Sequence, residues 1–160
     1  MNGAARLRIR DIAPDDAASV ARMWEHFGRY LRELGDTDDQ NFGVEAILRD
    51  GFGPDPAFSG IIAELDGVPH GYLLYHFGYD VDQAMRIMFV IDLWVDTPAR
   101  RHGIGRALMR EAAARCRAKG GRALLWAVFK PNRLAIDFYR RLGAEVLDNL
   151  EFMHLPAAAL

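Results

Sequence analysis

Apolar and polar positions along the chain fall into distinct spacings, and each spacing predicts a different element. Leu7 and Ile9 alternate with Arg6, Arg8 and Arg10, the period of a half-exposed strand over 6–12. Pro14-Asp15-Asp16 then signals a helix start, because proline loses nothing in a first turn and carboxylates there meet the positive end of the helix dipole. The helix that follows carries Val20, Met23, Trp24, Phe27, Leu31 and Leu34 as one buried stripe. After the acidic, turn-rich stretch from Gly35 to Gly43, a short helical segment spans about 44–49 and runs into the loop Gly51-Phe52-Gly53-Pro54-Asp55-Pro56. Strands are predicted at about 58–65 and 69–77, with Asp66-Gly67 between them as a hairpin turn.

The second half changes character. Residues 86–95 are a near-continuous apolar run, Ile87 to Val95 broken only by Asp92, as a central strand covered on both faces requires. A helix runs from Gly103 to about Lys119 and stops at Gly120-Gly121; Ala123 to Phe129 is another buried strand. A last helix at about 132–142 ends at Gly143, and a terminal strand pair follows near 144–155. Strands in antiparallel series, then strands alternating with helices, predict a mixed α/β fold: a central mixed sheet with helices on both faces. Without repeats, low-complexity tracts or linkers, 1–160 reads as a single domain.

Composition narrows the function classes. With 51% hydrophobic residues the chain can fill a core of its own. No run approaches the roughly 18–20 uncharged apolar residues of a membrane span. The charges of Arg6, Arg8, Arg10 and Asp11 stand where a signal peptide needs an apolar centre, so a soluble cytoplasmic protein is expected. The one cysteine, Cys116, excludes an internal disulfide, and it follows Ile104, Leu108 and Ala112 at helical spacing, which assigns it to the core. No Cys pair or HExxH motif is present, and no metal is expected. A net charge of −2 argues against nucleic acid as partner.

The basic residues cluster instead at one turn. Arg100-Arg101-His102-Gly103-Ile104-Gly105-Arg106 follows the central strand and opens a helix, where unpaired backbone N–H groups and the helix dipole favour an anion. Gly103 and Gly105 let the backbone approach a ligand, and Arg100, Arg101 and Arg106 add charge, so the turn can cradle a pyrophosphate. It is not a GxxxxGK[ST] loop, and GxGxxG fails because Leu108 replaces the third glycine. Arg-x-x-Gly-x-Gly between strand and helix resembles the pyrophosphate motif of the GNAT acetyltransferases. The resemblance implies the GNAT fold, with acetyl-CoA as co-substrate. It also implies pyrophosphate on the amides of Arg101 to Arg106, pantetheine paired as an extra strand with Leu93, Trp94 and Val95, and a sheet splayed there to admit it.

On the last helix Ala135, Phe138, Tyr139 and Leu142 share one face, the pattern of a packed stripe. Asn132-x-x-Ala135-x-x-Phe138-Tyr139-x-x-Leu142-Gly143 also resembles the second GNAT signature, which implies that Asn132 meets pantetheine, Phe138 belongs to the coenzyme site and Tyr139 faces the thioester sulfur. Model acidities of about 10 for phenol and about 8.5 for thiol make proton transfer from Tyr139 to a departing thiolate uphill by about 2 kcal/mol. An apolar pocket that disfavours the thiolate narrows that gap, so Tyr139 is expected to serve as general acid.

The attacking amine must lose a proton, so a base or water chain is required. Leu48-Arg49-Asp50-Gly51-Phe52-Gly53, Asp55-Pro56 and Tyr75-His76-Phe77-Gly78-Tyr79-Asp80 resemble the diamine branch of the GNAT family (spermidine/spermine and thialysine acetyltransferases). That branch carries Glu-Asp where this chain has Ile91-Asp92, a tryptophan where Pro131 stands and a proline where Leu134 stands. Asp92 is the candidate base, although on an unbulged strand it would face away from the glutamate's side; the other reading is a carboxylate paired inside the sheet. His76, Asp80 and Glu64 are substitutes, with His76, Tyr79 and Asp80 also candidates for binding the amine. His26, His70 and His154 form no constellation in the sequence. Asp36, Asp38, Asp39, Asp55, Asp80 and Asp82 lie in predicted loops, to draw a cationic substrate or simply as solvated charge.

The expected function is an N-acetyltransferase acting on a small amine by direct attack on the thioester, with no covalent acyl-enzyme and a backbone N–H near Val95 steadying the oxyanion. The alternatives are another acceptor (an amino acid, an antibiotic amine, a protein N-terminus) or a CoA-binding sensor without catalysis. The family implies a homodimer.

Overall fold

The computed structural model describes residues 6–159; residues 1–5 and residue 160, the two ends of the expected 1–160 domain, lie outside them. Strand β1 (Leu7–Asp11) leads through a 3-10 turn at Pro14–Asp16 into helix α1 (Ala17–Glu33), followed by α2 (Val44–Phe52). Asp16 closes that turn by accepting the Ala13 N–H at 2.8 Å and both ends of the Arg10 guanidinium, at 2.6 and 2.9 Å. Strands β2 (Ser59–Leu65), β3 (Val68–Asp80) and β4 (Met85–Val95) then form an antiparallel meander. Asp66 (φ 52°) and Gly67 (φ 81°) both sit in the left-handed region that a two-residue hairpin turn demands. Helix α3 (Ile104–Ala118) crosses over to β5 (Ala123–Leu125), parallel to β4, and α4 (Arg133–Arg141) follows.

The five strands lie in the order β1-β2-β3-β4-β5, with only the last pair parallel. The predicted mixed sheet with helices on both faces is therefore what forms. One face packs Ile61, Ala63, Leu73, Met88 and Val90 against Ile104, Leu108, Ala112 and Cys116 of α3. The opposite face packs Ile62, Tyr72, Leu74 and Trp94 against Val20 and Met23 of α1 and Ile47 of α2. Cys116 is buried among these core residues, as its spacing predicts. Among the described residues no helix is long and apolar enough to cross a membrane.

Two departures from the sequence expectation shape the site. First, β5 ends at Leu125 instead of 129, and it pairs only with Ile87–Phe89. Beyond Phe89 that edge of β4 has no strand partner, so the opening expected near Leu93 begins already at Val90. Second, no terminal strand pair forms over 144–155. A strand needs a ladder partner, and a three-residue β5 offers almost none, so Val146, Leu150, Phe152, Met153 and Leu155 remain exposed.

Register within β4 matters more than its length. Tyr75 pairs with Val90 and Leu74 with Asp92, so Ile91 is an extra residue, a β-bulge. Met88 and Val90 face α3 before the bulge, and Leu93 and Val95 pack on that side after it. Even-numbered residues thus point to α3 before Ile91 and odd-numbered ones after it. The alternation assumed for an unbulged strand fails at this residue.

Candidate active site

Where β4 and β5 part, a cavity of about 840 Å³ opens, walled by β4 from Val90 to Val95, by 126–129 and by α4, and reaching the start of α3. The bulge lets consecutive residues, Ile91 and Asp92, both line it. The shift of phase turns Asp92 toward the α1 side, two positions from Trp94, whose ladder partner is Tyr72. Tyr72 and Asp92 are thus diagonal neighbours on one face, and the Tyr72 hydroxyl donates to Asp92 Oδ2 at 2.5 Å. Burial pushes the Asp92 carboxyl up from 3.8 to about 7, while the hydrogen bonds from Tyr72 and from the Leu93 backbone pull the other way. A carboxyl balanced near neutrality beside a cavity has the acidity of a general base working at neutral pH.

Tyr139 lines the same cavity, its ring packed against Trp126 at 4.8 Å and Phe138 at 5.2 Å between centroids. Burial raises its phenol well above the ordinary range, and the charge of Asp92 raises it further. The apolar surroundings that disfavour a thiolate therefore disfavour the phenolate too. The gap estimated from free phenol and thiol widens on the tyrosine side, which favours hydrogen-bond donation to sulfur over complete proton transfer.

At the far end of β4 the chain turns through Thr97–Ala99 and reaches α3 with Arg101 (φ 71°) and Gly103 (φ 75°) both left-handed. A non-glycine residue held there is strained. No side chain caps α3 at Gly103, so its first N–H groups are free for an anion. Gly105 serves a different purpose: a Cβ there would stand 3.1 Å from Phe138 Cζ, so its absence lets α3 and α4 meet. Arg100 donates from Nε to the Val95 carbonyl at 3.0 Å and lies 4.6 Å from the Trp94 ring centroid. That bond occupies the Val95 carbonyl, leaving fewer free groups on the edge than an empty strand would offer. The His102 ring turns to the carbonyls of Ala99 and Arg100, at 3.2 and 3.1 Å, and does not line the cavity. With free amides, three arginines and an open strand edge in series, the residues present fit a long ligand carrying phosphates at one end.

Asn132 lines the cavity, but its Oδ1 caps α4 by accepting the Ala135 N–H at 3.1 Å and also accepts the Tyr30 hydroxyl at 3.0 Å. Only its amide N–H groups remain for a ligand. The expected acceptor residues are not brought here: His76, Tyr79 and Asp80 sit toward the β3–β4 turn, outside the lining. His76 stacks on Phe89 at 5.3 Å, Tyr79 is 63% exposed, and Asp80 accepts the Gln83 N–H at 3.0 Å. Glu64 is held by Arg10 at 2.5 Å, away from the cavity, which removes it as a substitute base.

Tyr72, Tyr30 and a node centred on Asp96 escaped the sequence reading. Tyr72 and Tyr30 are aromatic positions in apolar stripes, and only their partners distinguish them from packing. His26, which formed no constellation in the sequence, meets Asp96 at 3.0 Å, and Asp96 also takes Trp94 Nε1 and Arg22, each at 3.1 Å. Burial opposes ionisation of Asp96, but those three donors outweigh it and hold the carboxyl below its ordinary range. The node ties α1 to the end of β4 and fixes the Trp94 ring on which Arg100 lies.

Residues 20–144 match the Acetyltransferase (GNAT) family. Among curated proteins, the chain is similar to the thialysine N-epsilon-acetyltransferase of Sus scrofa, 30% identical over 94% of this chain and 91% of that protein. It is also similar to the spermidine/spermine N(1)-acetyltransferase-like protein 1 of Homo sapiens, 25% identical over 92% of this chain and 22% of that one. Among solved structures, an integron cassette protein from the mobile metagenome of V. cholerae superposes with a TM-score of 0.79 at 20% identity, covering 98% of this chain and 96% of that chain.

Proposed function

This chain belongs to the acetyltransferase (GNAT) family, and from that premise we propose that it acetylates the primary amine of a small alkylamine, of the thialysine or diamine kind, at the expense of acetyl-CoA. The protein is an N-acetyltransferase. The choice of acceptor rests on its relatives, and the choice of site rests on one observation: a strand edge left open from Val90 to Val95, leading from Asp92 to an uncapped helix start.

In this reading the first amides of α3, with Arg100, Arg101 and Arg106, hold the pyrophosphate, and the open edge of β4 aligns the pantetheine chain. Acetyl-CoA brings the activated thioester. Asp92 accepts the proton that the amine must lose, directly or through water, and Tyr139 donates a hydrogen bond to the sulfur as negative charge grows on it. Tyr139→Phe is expected to lower kcat about 10- to 100-fold with little change in KM for acetyl-CoA, measured as free-thiol release. Because burial holds the phenol protonated, Tyr139 is expected to contribute no alkaline limb to the rate profile below pH 10 or so.

The acceptor is tested by turnover against thialysine, diamines, polyamines, amino acids and aminoglycosides. Thialysine or a diamine is expected to give the highest kcat/KM. Preference for an α-amino group or an aminoglycoside would overturn the acceptor while leaving the chemistry in place, and acetyl-CoA binding without turnover of any amine would overturn catalysis.

A further inference from the structure

Tyr72 is fully buried, 0% exposed, in the layer between β3 and α1. Phenylalanine would fill that volume without a hydroxyl to satisfy, so the oxygen needs a reason. Its hydrogen-bond partner is Asp92 Oδ2, 20 residues away on the adjoining strand, at 2.5 Å. Tyr72 stands behind the carboxylate and does not line the cavity, whereas Asp92 does. The bond depends on Ile91 being bulged: were Ile91 paired in the ladder as an ordinary residue, Asp92 would keep the phase of Val90 and point toward α3, away from Tyr72.

We propose that Tyr72 is a positioning residue for acetyl transfer: its hydroxyl fixes Oδ2 of Asp92, so that Oδ1 is presented to the acceptor amine as the proton-accepting oxygen. This rests on the reading of Asp92 as the base. In the step, an N–H proton of the amine passes to Oδ1 and the nitrogen electron pair forms the N–C bond to the acetyl carbon. The C–S bond breaks with its pair on sulfur, the thiolate takes a proton from solvent under the Tyr139 hydrogen bond, and Asp92 returns its proton to solvent. Tyr72 keeps its own proton throughout, its phenol pushed far above the ordinary range by burial and by the charges of Asp92 and Asp96.

The titratable and charged groups that line the cavity with Asp92 are Tyr139 and Arg141 from α4, Tyr30 from α1, and Arg100, Arg101 and Arg106 from the turn and start of α3; Tyr72 from β3 stands behind the carboxylate, and Asp96 acts on Tyr72 from just past β4. Of these, only Tyr72 is hydrogen-bonded to Asp92 among the described residues. Its donation favours the charged form. Removing it raises the pKa of Asp92, so the acid limb of kcat/KM, expected near pH 7, moves upward.

The experiment is the pH profile of kcat/KM for wild type, Tyr72→Phe, Asp92→Asn and the double variant, each checked for a cooperative thermal transition. Tyr72→Phe is expected to shift the acid limb up by about one to two pH units, the effect of losing one hydrogen bond to a charged group. Its activity should be about 10-fold or more lower at pH 7 and recover above about pH 9. In the Asp92→Asn background the same change is expected to cost nothing further, because Tyr72 acts through that carboxylate. A loss in Tyr72→Phe that is equal at every pH, or a further loss in the double variant, overturns the positioning role while the base assignment stands. Wild-type activity in Asp92→Asn overturns the base itself, and the two failures are thereby told apart.

Discussion

Asp92→Asn is expected to lower kcat/KM by about 100- to 10,000-fold at pH 7.5 and, in the same protein, to raise thermal stability at pH 8. On the proposed mechanism, the activity loss follows from removing the group that takes the amine proton. The stability gain follows from linkage. Burial lifts the folded-state pKa of Asp92 from 3.8 to about 7, so between those values the folded protein holds a proton that the unfolded chain has released. The advantage of the protonated carboxyl is complete below about pH 4 and lost as pH rises through about 7. At pH 8 the fold therefore carries a buried negative charge that asparagine does not, and the substitution removes a cost on the order of 1–3 kcal/mol once weaker acceptance from Tyr72 is allowed for. Thermal unfolding at pH 5 and pH 8 is the measurement: Asp92→Asn should gain several degrees at pH 8 and much less at pH 5. A variant that keeps activity within about twofold removes Asp92 from the mechanism, and an unchanged pH slope of stability removes it as the titrating group.

That trade of stability for chemistry was only half visible in the sequence. Asp92 stood out as the one polar residue in an apolar strand, and the turn from Arg100 to Arg106 stood out by its glycines and charge. The bulge was not visible, because Val90 and Ile91 are both β-branched and apolar, and no local signal marks one of them as extra. Pairing with Leu74 and Tyr75 decides it, and pairing is a property of two strands. Tyr72 was hidden for the same reason: a tyrosine in Gly71-Tyr72-Leu73-Leu74-Tyr75 reads as packing until the register sets it beside Asp92. The Asp96 node joins residues 70 and 74 positions apart, beyond the reach of any periodicity.

The acceptor residues and the terminal strands were misplaced by a related limit. His76, Tyr79 and Asp80 are close in sequence to β3 residues that matter, but each step along an extended strand carries the chain about 3.3 Å further from the cavity. Apolar residues from Val146 to Leu155 suggested strands, yet apolar character alone supplies no partner for the backbone, and β5 is too short to provide one. Local pattern predicts an element; the edge it must pair with is set by the rest of the fold.

Gly103→Val is expected to raise KM for acetyl-CoA about 10- to 100-fold, with a smaller fall in kcat. Gly103 holds φ at 75°, a conformation that a β-branched residue adopts only under strain. Nothing lies within 4 Å of the position a Cβ would take, so the substitution meets no neighbour and acts through the backbone alone. With Arg101 already at φ 71°, valine would put a second strained residue into the same short turn. Relaxing it swings the first N–H groups of α3 away from the anion, and losing one or two hydrogen bonds to charged oxygens accounts for the expected factor. Gly103→Asn separates the causes, because asparagine tolerates the left-handed region. It should leave KM for acetyl-CoA within about threefold of wild type although its side chain puts more heavy atoms at the mouth of the site than valine's does. Equal damage from both substitutions would mean that the added side chain blocks the ligand, and the backbone conformation would lose its place in coenzyme binding.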